Sequence, residues 1–144
     1  MAVKPMTGAA ATTDLRRNDR VVLDVLIDGD RPLRAYEVLD RVQSQGIKAP
    51  PQVYRALNRL IRIGLVHRIE SLNAFVACAH HDHKGRDGVD GSVFLICQSC
   101  GDALELDARP STLLAEAVAV PDQFKVDQVV VEIRGWCADC APRD

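Results

Sequence analysis

The sequence predicts an α+β chain, helical in its first half and strand-rich in its second, with a polar, glycine-containing loop between the halves. Three observations predict it. Apolar residues recur at helical spacing in three stretches before Gly64. After Gly64, short runs rich in Val, Ile and Phe take over. Two Cys-x-x-Cys pairs, CQSC and CADC, bracket most of the second half. At 144 residues, 47% of them hydrophobic, the chain has material for one average domain or two small ones and is not a disordered protein.

Residues 1–13, rich in Ala, Thr and Gly, read as a flexible lead-in. The first helix is expected from about Asp19 to Ile27, capped by Asn18, with Val22, Leu23 and Leu26 turned to a core, before the turn at Asp28, Gly29 and Asp30. A second is expected over Leu33 to Gln43, where Ala35, Val38, Leu39 and Val42 repeat at i, i+3, i+4 and i+7; Gly46 breaks it. The third, within Pro50 to Gly64, carries two different faces. Val53, Leu57, Leu60 and Ile61 share one arc, and Tyr54, Arg55, Asn58, Arg59 and Arg62 share the other. The prolines suit the first turn, where N–H groups have no intrahelical partner, and Gly64 suits the end.

Leu65 to Glu70 and Ala74 to Cys78 read as two strands of a hairpin turning at Ser71 to Asn73. Three helices followed by a hairpin describe a winged helix-turn-helix, in which one helix enters the major groove of DNA. The arginine-bearing face of the third helix then becomes a candidate reading surface, because guanidinium groups bind phosphates and guanine edges. A solvated helix face is the alternative. Charge distribution favours the first reading despite a net charge of −2. Residues 1–70 hold 12 Lys or Arg against 8 Asp or Glu, and residues 71–144 hold 6 against 12.

Ala79 to Ser92 is a polar loop containing His80, His81 and His83. Beyond it, strands are expected at Val93 to Ile96, Ala103 to Leu106 and Phe124 to Ile133, with a helix over Ser111 to Val120. They compose a small α/β unit, and the run VVVEI is apolar enough for a sheet interior or a dimer interface. The expected division is therefore 1–13 lead-in, 14–79 winged helix, 80–92 polar loop and 93–144 small α/β domain. No apolar run approaches a membrane span, and the first residues lack a signal-peptide core, so a cytoplasmic protein is expected.

Cys97 and Cys100, with Cys137 and Cys140, form two chelating arms suited to a closed tetrathiolate zinc site. Disulfides or a redox pair are the alternatives. A second constellation draws on His67 and Cys78 in the hairpin, Glu105 on a later strand and one loop histidine. It has mixed S, N and O donors that also suit zinc. The sequence carries no nucleophile, metalloprotease, phosphate-loop or deaminase signature, which points away from an enzyme and a small-molecule substrate.

At VYRALNRL, GLVHRIES, CAHHDH, ICQSCG and GWCADC the chain resembles the ferric uptake regulator family over about Asn18 to Cys140. AYEVLD, the PPxVYRAL run and VHRIES resemble its zinc-responsive branch. The resemblance implies a homodimeric repressor that binds palindromic double-stranded DNA operators of zinc-uptake genes, with two Zn(2+) per subunit. It implies that Tyr54 and Arg55 read or approach bases, that Arg20 helps position DNA, and that Cys97, Cys100, Cys137 and Cys140 hold structural zinc. It also implies that His67, Cys78 and Glu105 hold regulatory zinc together with His83, ahead of His81 and then His80. Gln52 departs from the Thr or Ser common before VYR in relatives, and no histidine near Phe124 to Val129 matches a further site of iron-responsive relatives. The competing readings are an iron-, manganese- or peroxide-responsive regulator of the same family, a zinc-dependent enzyme using Glu105 as base, or a zinc-stabilised dimer that binds no DNA.

Overall fold

A computed structural model describes residues 14–79, 90–108 and 116–142. The chain divides into two compact units, Met1–His81 and Asp82–Asp144.

In the first unit, α1 (Arg17–Asp28), α2 (Ala35–Val42) and α3 (Pro50–Arg62) pack around Val22, Leu23, Val38, Val42, Val53, Leu57 and Leu60, each at most 1% exposed. Two expectations fail at the helix starts. Asn18 lies inside α1, whose cap residue is Arg16, with no side-chain cap bond; Asp19 supplies the acidic group of the first turn. Leu33 is not helical. Its N–H donates to the Phe75 carbonyl at 2.9 Å and its carbonyl accepts from the Phe75 N–H at 2.8 Å, so backbone pairing to the hairpin holds it extended and α2 begins two residues later. The apolar repeat itself starts at Ala35, and Leu33 falls on the opposite side of a helical wheel, so sheet-like pairing costs it no helical packing.

Gln52 closes the start of α3. Its Oε1 accepts from the N–H groups of Lys48 and Ala49, each at 3.1 Å, which fixes the turn entering the helix behind Pro50 and Pro51. Gly64, at φ +78°, reverses the chain after α3, and the Leu65 N–H returns to the Leu60 carbonyl at 2.9 Å. The antiparallel hairpin β1 (Val66–Ile69) and β2 (Ala74–Ala77) follows, with Asn73 in the left-handed region at its turn.

The second unit is a three-stranded sheet in the order β4-β3-β5, formed by β3 (Asp90–Cys97), β4 (Ala103–Leu106) and β5 (Gln128–Gly135). β3 and β4 are antiparallel across a tight turn, where the Cys97 N–H donates to the Asp102 carbonyl at 2.8 Å. β3 and β5 are parallel, in a register running from Asp90↔Gln128 to Cys97↔Gly135. β3 begins three residues before its expected start. β5 begins four residues after its own, because Phe124 lies in a turn closed by its N–H on the Pro121 carbonyl and is 67% exposed. Of the expected helix over 111–120, Glu116 and Ala117 are helical but residues 118–120 are not, so the helix ends before its expected end; residues 111–115 lie outside the described residues.

Candidate metal centre and nucleic-acid interface

The parallel register of β3 and β5 assembles the four-cysteine cluster. Cys97 ends β3 level with Gly135, so the turn after β3 and the turn after β5 leave the sheet at the same end. The Gln98 N–H donates to the Gly135 carbonyl at 2.8 Å and the Cys137 N–H approaches the Cys97 Sγ at 3.4 Å, binding the two turns to each other. The Sγ atoms of Cys97, Cys100, Cys137 and Cys140 all lie within 4.8 Å of one another, and Cys100 and Cys137 are 3.9 Å apart. A Zn–S bond of about 2.3 Å sets a tetrahedral edge near ~3.8 Å. The cluster therefore fits one tetrahedral ion held by four thiolates.

Electrostatics at the cluster agree. N–H groups of Cys100 and then Cys137 hold the Cys97 thiol down to about 6, with Ser99 assisting and burial opposing. Cys140 is pushed up to about 12: the Ser99 side chain lowers it, while Cys137, burial, Cys100 and Cys97 raise it. Thiols this close do not all ionise unless a cation sits among them.

In the first unit His67 stands opposite Val76 in the hairpin, and Cys78, two residues beyond Val76, projects from the same face. Their ligating atoms lie within 4.8 Å of each other; Cys78 is buried and His67 half-buried. In the second unit Glu105 pairs with Phe94 across β3 and β4, is 9% exposed, and accepts from the Ser92 hydroxyl at 3.3 Å. His80, His81 and His83 lie outside the described residues.

On α3 the polar arc faces outward. Tyr54 is 49% exposed, and Arg55, Asn58 and Arg62 are exposed, as is Arg20 on α1. Arg59 departs from expectation. Its Nε donates to both Asp19 carboxylate oxygens, at 3.0 and 2.9 Å, and its Nη2 to Oδ1 at 2.6 Å, so α3 is tied to α1 through a carboxylate that is 4% exposed. The Asp19 hydrogen bond raises the Arg59 pKa, so its charge is permanent and already matched. The sequence reading also passed over Tyr36, 60% exposed in the first turn of α2. The signal was present: an aromatic residue falls on the arc opposite Ala35, Val38 and Val42, where packing does not require one.

No protein-family model matches the chain. It is 33% identical over 120 residues to the zinc uptake regulation protein of Escherichia coli (strain K12), covering 83% of this chain and 68% of that protein. Among solved structures it resembles holo XcZur at 40% identity and a TM-score of 0.71, covering 87% of this chain and 84% of that one. It also resembles a zinc uptake regulator complexed with zinc and DNA, at 31% identity and a TM-score of 0.70, covering 87% and 81%.

Proposed function

Because the chain belongs to the ferric uptake regulator family, in its zinc uptake regulator branch, we propose that it represses zinc-uptake genes as a dimer on palindromic DNA when zinc is plentiful. It is a zinc-binding, DNA-binding transcription regulator and not an enzyme. No helix among the described residues is long and apolar enough to cross a membrane, and the cytoplasm is the compartment where such a regulator meets its operator.

We assign two zinc ions to each subunit. The structural one is held by Cys97, Cys100, Cys137 and Cys140, whose convergence supports a closed site with no position left for substrate. The regulatory one is assigned to His67, Cys78 and Glu105 with His83 as the fourth ligand, His81 and His80 being the alternatives. The adjacency of His67 and Cys78 supports this set, as does its donor chemistry.

DNA recognition is assigned to Tyr54, Arg55, Asn58 and Arg62 on α3, with Arg20 on α1. The division of α3 carries this reading: Val53, Ala56, Leu57 and Leu60 lock one face into the core, while the opposite face presents cations and hydrogen-bond donors. For the dimer, Phe124, Val130, Ile133 and Trp136 expose apolar surface in the second unit that a partner subunit can cover. A zinc titration followed by fluorescence anisotropy, using the duplex upstream of a zinc-transporter gene, tests the whole reading. Binding should rise as the second zinc equivalent loads; affinity independent of zinc, or responding only to iron or manganese, refutes it.

A further inference from the structure

We propose that Asp19 is a specificity-determining residue: it holds Arg59 back from the DNA phosphates and so suppresses sequence-independent binding. The inference rests on the assignment of α3 as the DNA-reading helix. Arg59 sits between Arg55, one turn before it, and Arg62, one turn after it, on the outward side of α3. Its side chain is 30% exposed, enough to reach a phosphate if free. It is not free. Three hydrogen bonds of 2.6–3.0 Å fasten it to the Asp19 carboxylate, which enters from the first turn of α1 and whose side chain is only 5% exposed.

That geometry makes the pair hard for DNA to break. A phosphate drawing Arg59 away would leave the Asp19 carboxylate buried without its counter-charge, and removing one partner of such a pair is strongly unfavourable. The fork-to-carboxylate arrangement also aims Nε and Nη2 inward, toward α1. An arginine neutralised in this way releases no counterion from DNA and adds nothing to affinity for arbitrary sequences. The arc of three arginines seen in the sequence therefore acts as two, Arg55 and Arg62. Placing a carboxylate at position 19 limits how strongly the helix holds any duplex and leaves discrimination to the contacts at base edges.

The full-length, zinc-loaded protein tests this with a cognate palindrome and a scrambled duplex, titrated by anisotropy across a range of salt concentrations. Asp19→Asn frees Arg59. The expected result is several-fold tighter binding to the scrambled duplex at low salt, with a salt slope steeper by about one. The double variant Asp19→Asn/Arg59→Gln removes both charges and should return the wild-type slope, since Arg59 makes no phosphate contact in the wild type. An Asp19→Asn slope equal to wild type overturns the proposal, and so does a double variant whose slope is shallower than wild type by about one. If Asp19→Asn does not fold, the uncharged pair alone decides, because its slope reads the wild-type role of Arg59 directly. A wild-type protein that binds no duplex with zinc present refutes the regulator reading itself, an outcome distinct from a mere mismatch of slopes.

Discussion

Arg55 and Arg62 share a helix face but are expected to do different work. Arg55 lies in the N-terminal half of α3, the part that recognition helices present to base edges, and Arg62 is the last helical residue. Arg55→Ala should therefore cost about 1–3 kcal/mol of discrimination between cognate and scrambled duplexes. Arg62→Ala should weaken both duplexes alike and flatten the salt slope by about one. An Arg55→Ala protein with an unchanged specificity ratio removes Arg55 from base reading. At the same scale, Cys78→Ser or His67→Ala should lower zinc-dependent operator affinity while one tightly held zinc per subunit and the dimer persist. Simultaneous loss of both zinc ions would mean that His67 and Cys78 serve stability instead of response. What the sequence concealed at this scale was pairing across distance. Arg59 and Asp19 are 40 residues apart, so a helical projection that placed Arg59 with the other arginines had no access to its partner. The Cys-x-x-Cys pairs were legible because the spacing within each arm is itself the chelating geometry.

The same contrast holds for whole elements. α3 was legible because its apolar arc, its prolines and Gly64 all specify one helix, whereas Leu33, which lies off the apolar stripe of α2, is held by a pairing with Phe75, 42 residues on, that no local pattern shows. Truncating Leu33, which is fully buried, to Ala should cost the first unit about 2–5 kcal/mol in a urea titration. A cost below that range would show the bridge to be slack. The start of α2 offers a pH-dependent test. The Arg31 hydrogen bond holds the Glu37 carboxyl below its ordinary 4.5, with the Arg34 N–H adding to the effect, and burial opposing it. A carboxyl depressed by folding stabilises the fold above its unfolded value, and that contribution disappears as pH falls through the depressed folded value. Glu37→Gln should thus be less stable than wild type near neutrality, and the difference should shrink below about pH 4.5. Because Arg31 is largely solvated, the difference should stay within ~1 kcal/mol. A gap that persists into acid would mean the loss comes from packing and not from the carboxylate.

Across the molecule, the two-part α+β plan was readable from the change of period at Gly64, but the parallel pairing of β3 with β5 was not, since strand direction leaves no mark on local composition. That pairing decides the consequences of metal removal. Cys100→Ser should lower bound zinc by one per subunit and reduce the melting temperature of the second unit, with dimerisation falling in parallel. An unchanged transition would separate the four thiols from stability. Ile133→Glu, at a position of β5 that is itself 47% exposed, should instead yield zinc-loaded monomers by sedimentation, and an intact dimer would place the interface elsewhere. The parallel register also has a bearing on time. β3 and β5 meet only after the chain between Cys100 and Cys137, 37 positions apart, has closed on itself, an entropic barrier of about 3 kcal/mol met before any strand contact repays it. Contacts so remote in sequence make folding slow. An ion that captures both cysteine arms early shortens the search, so stopped-flow refolding of the second unit should run faster with zinc present at dilution than with zinc added afterwards. Zinc supply would then govern how quickly a newly made chain becomes competent to respond to it.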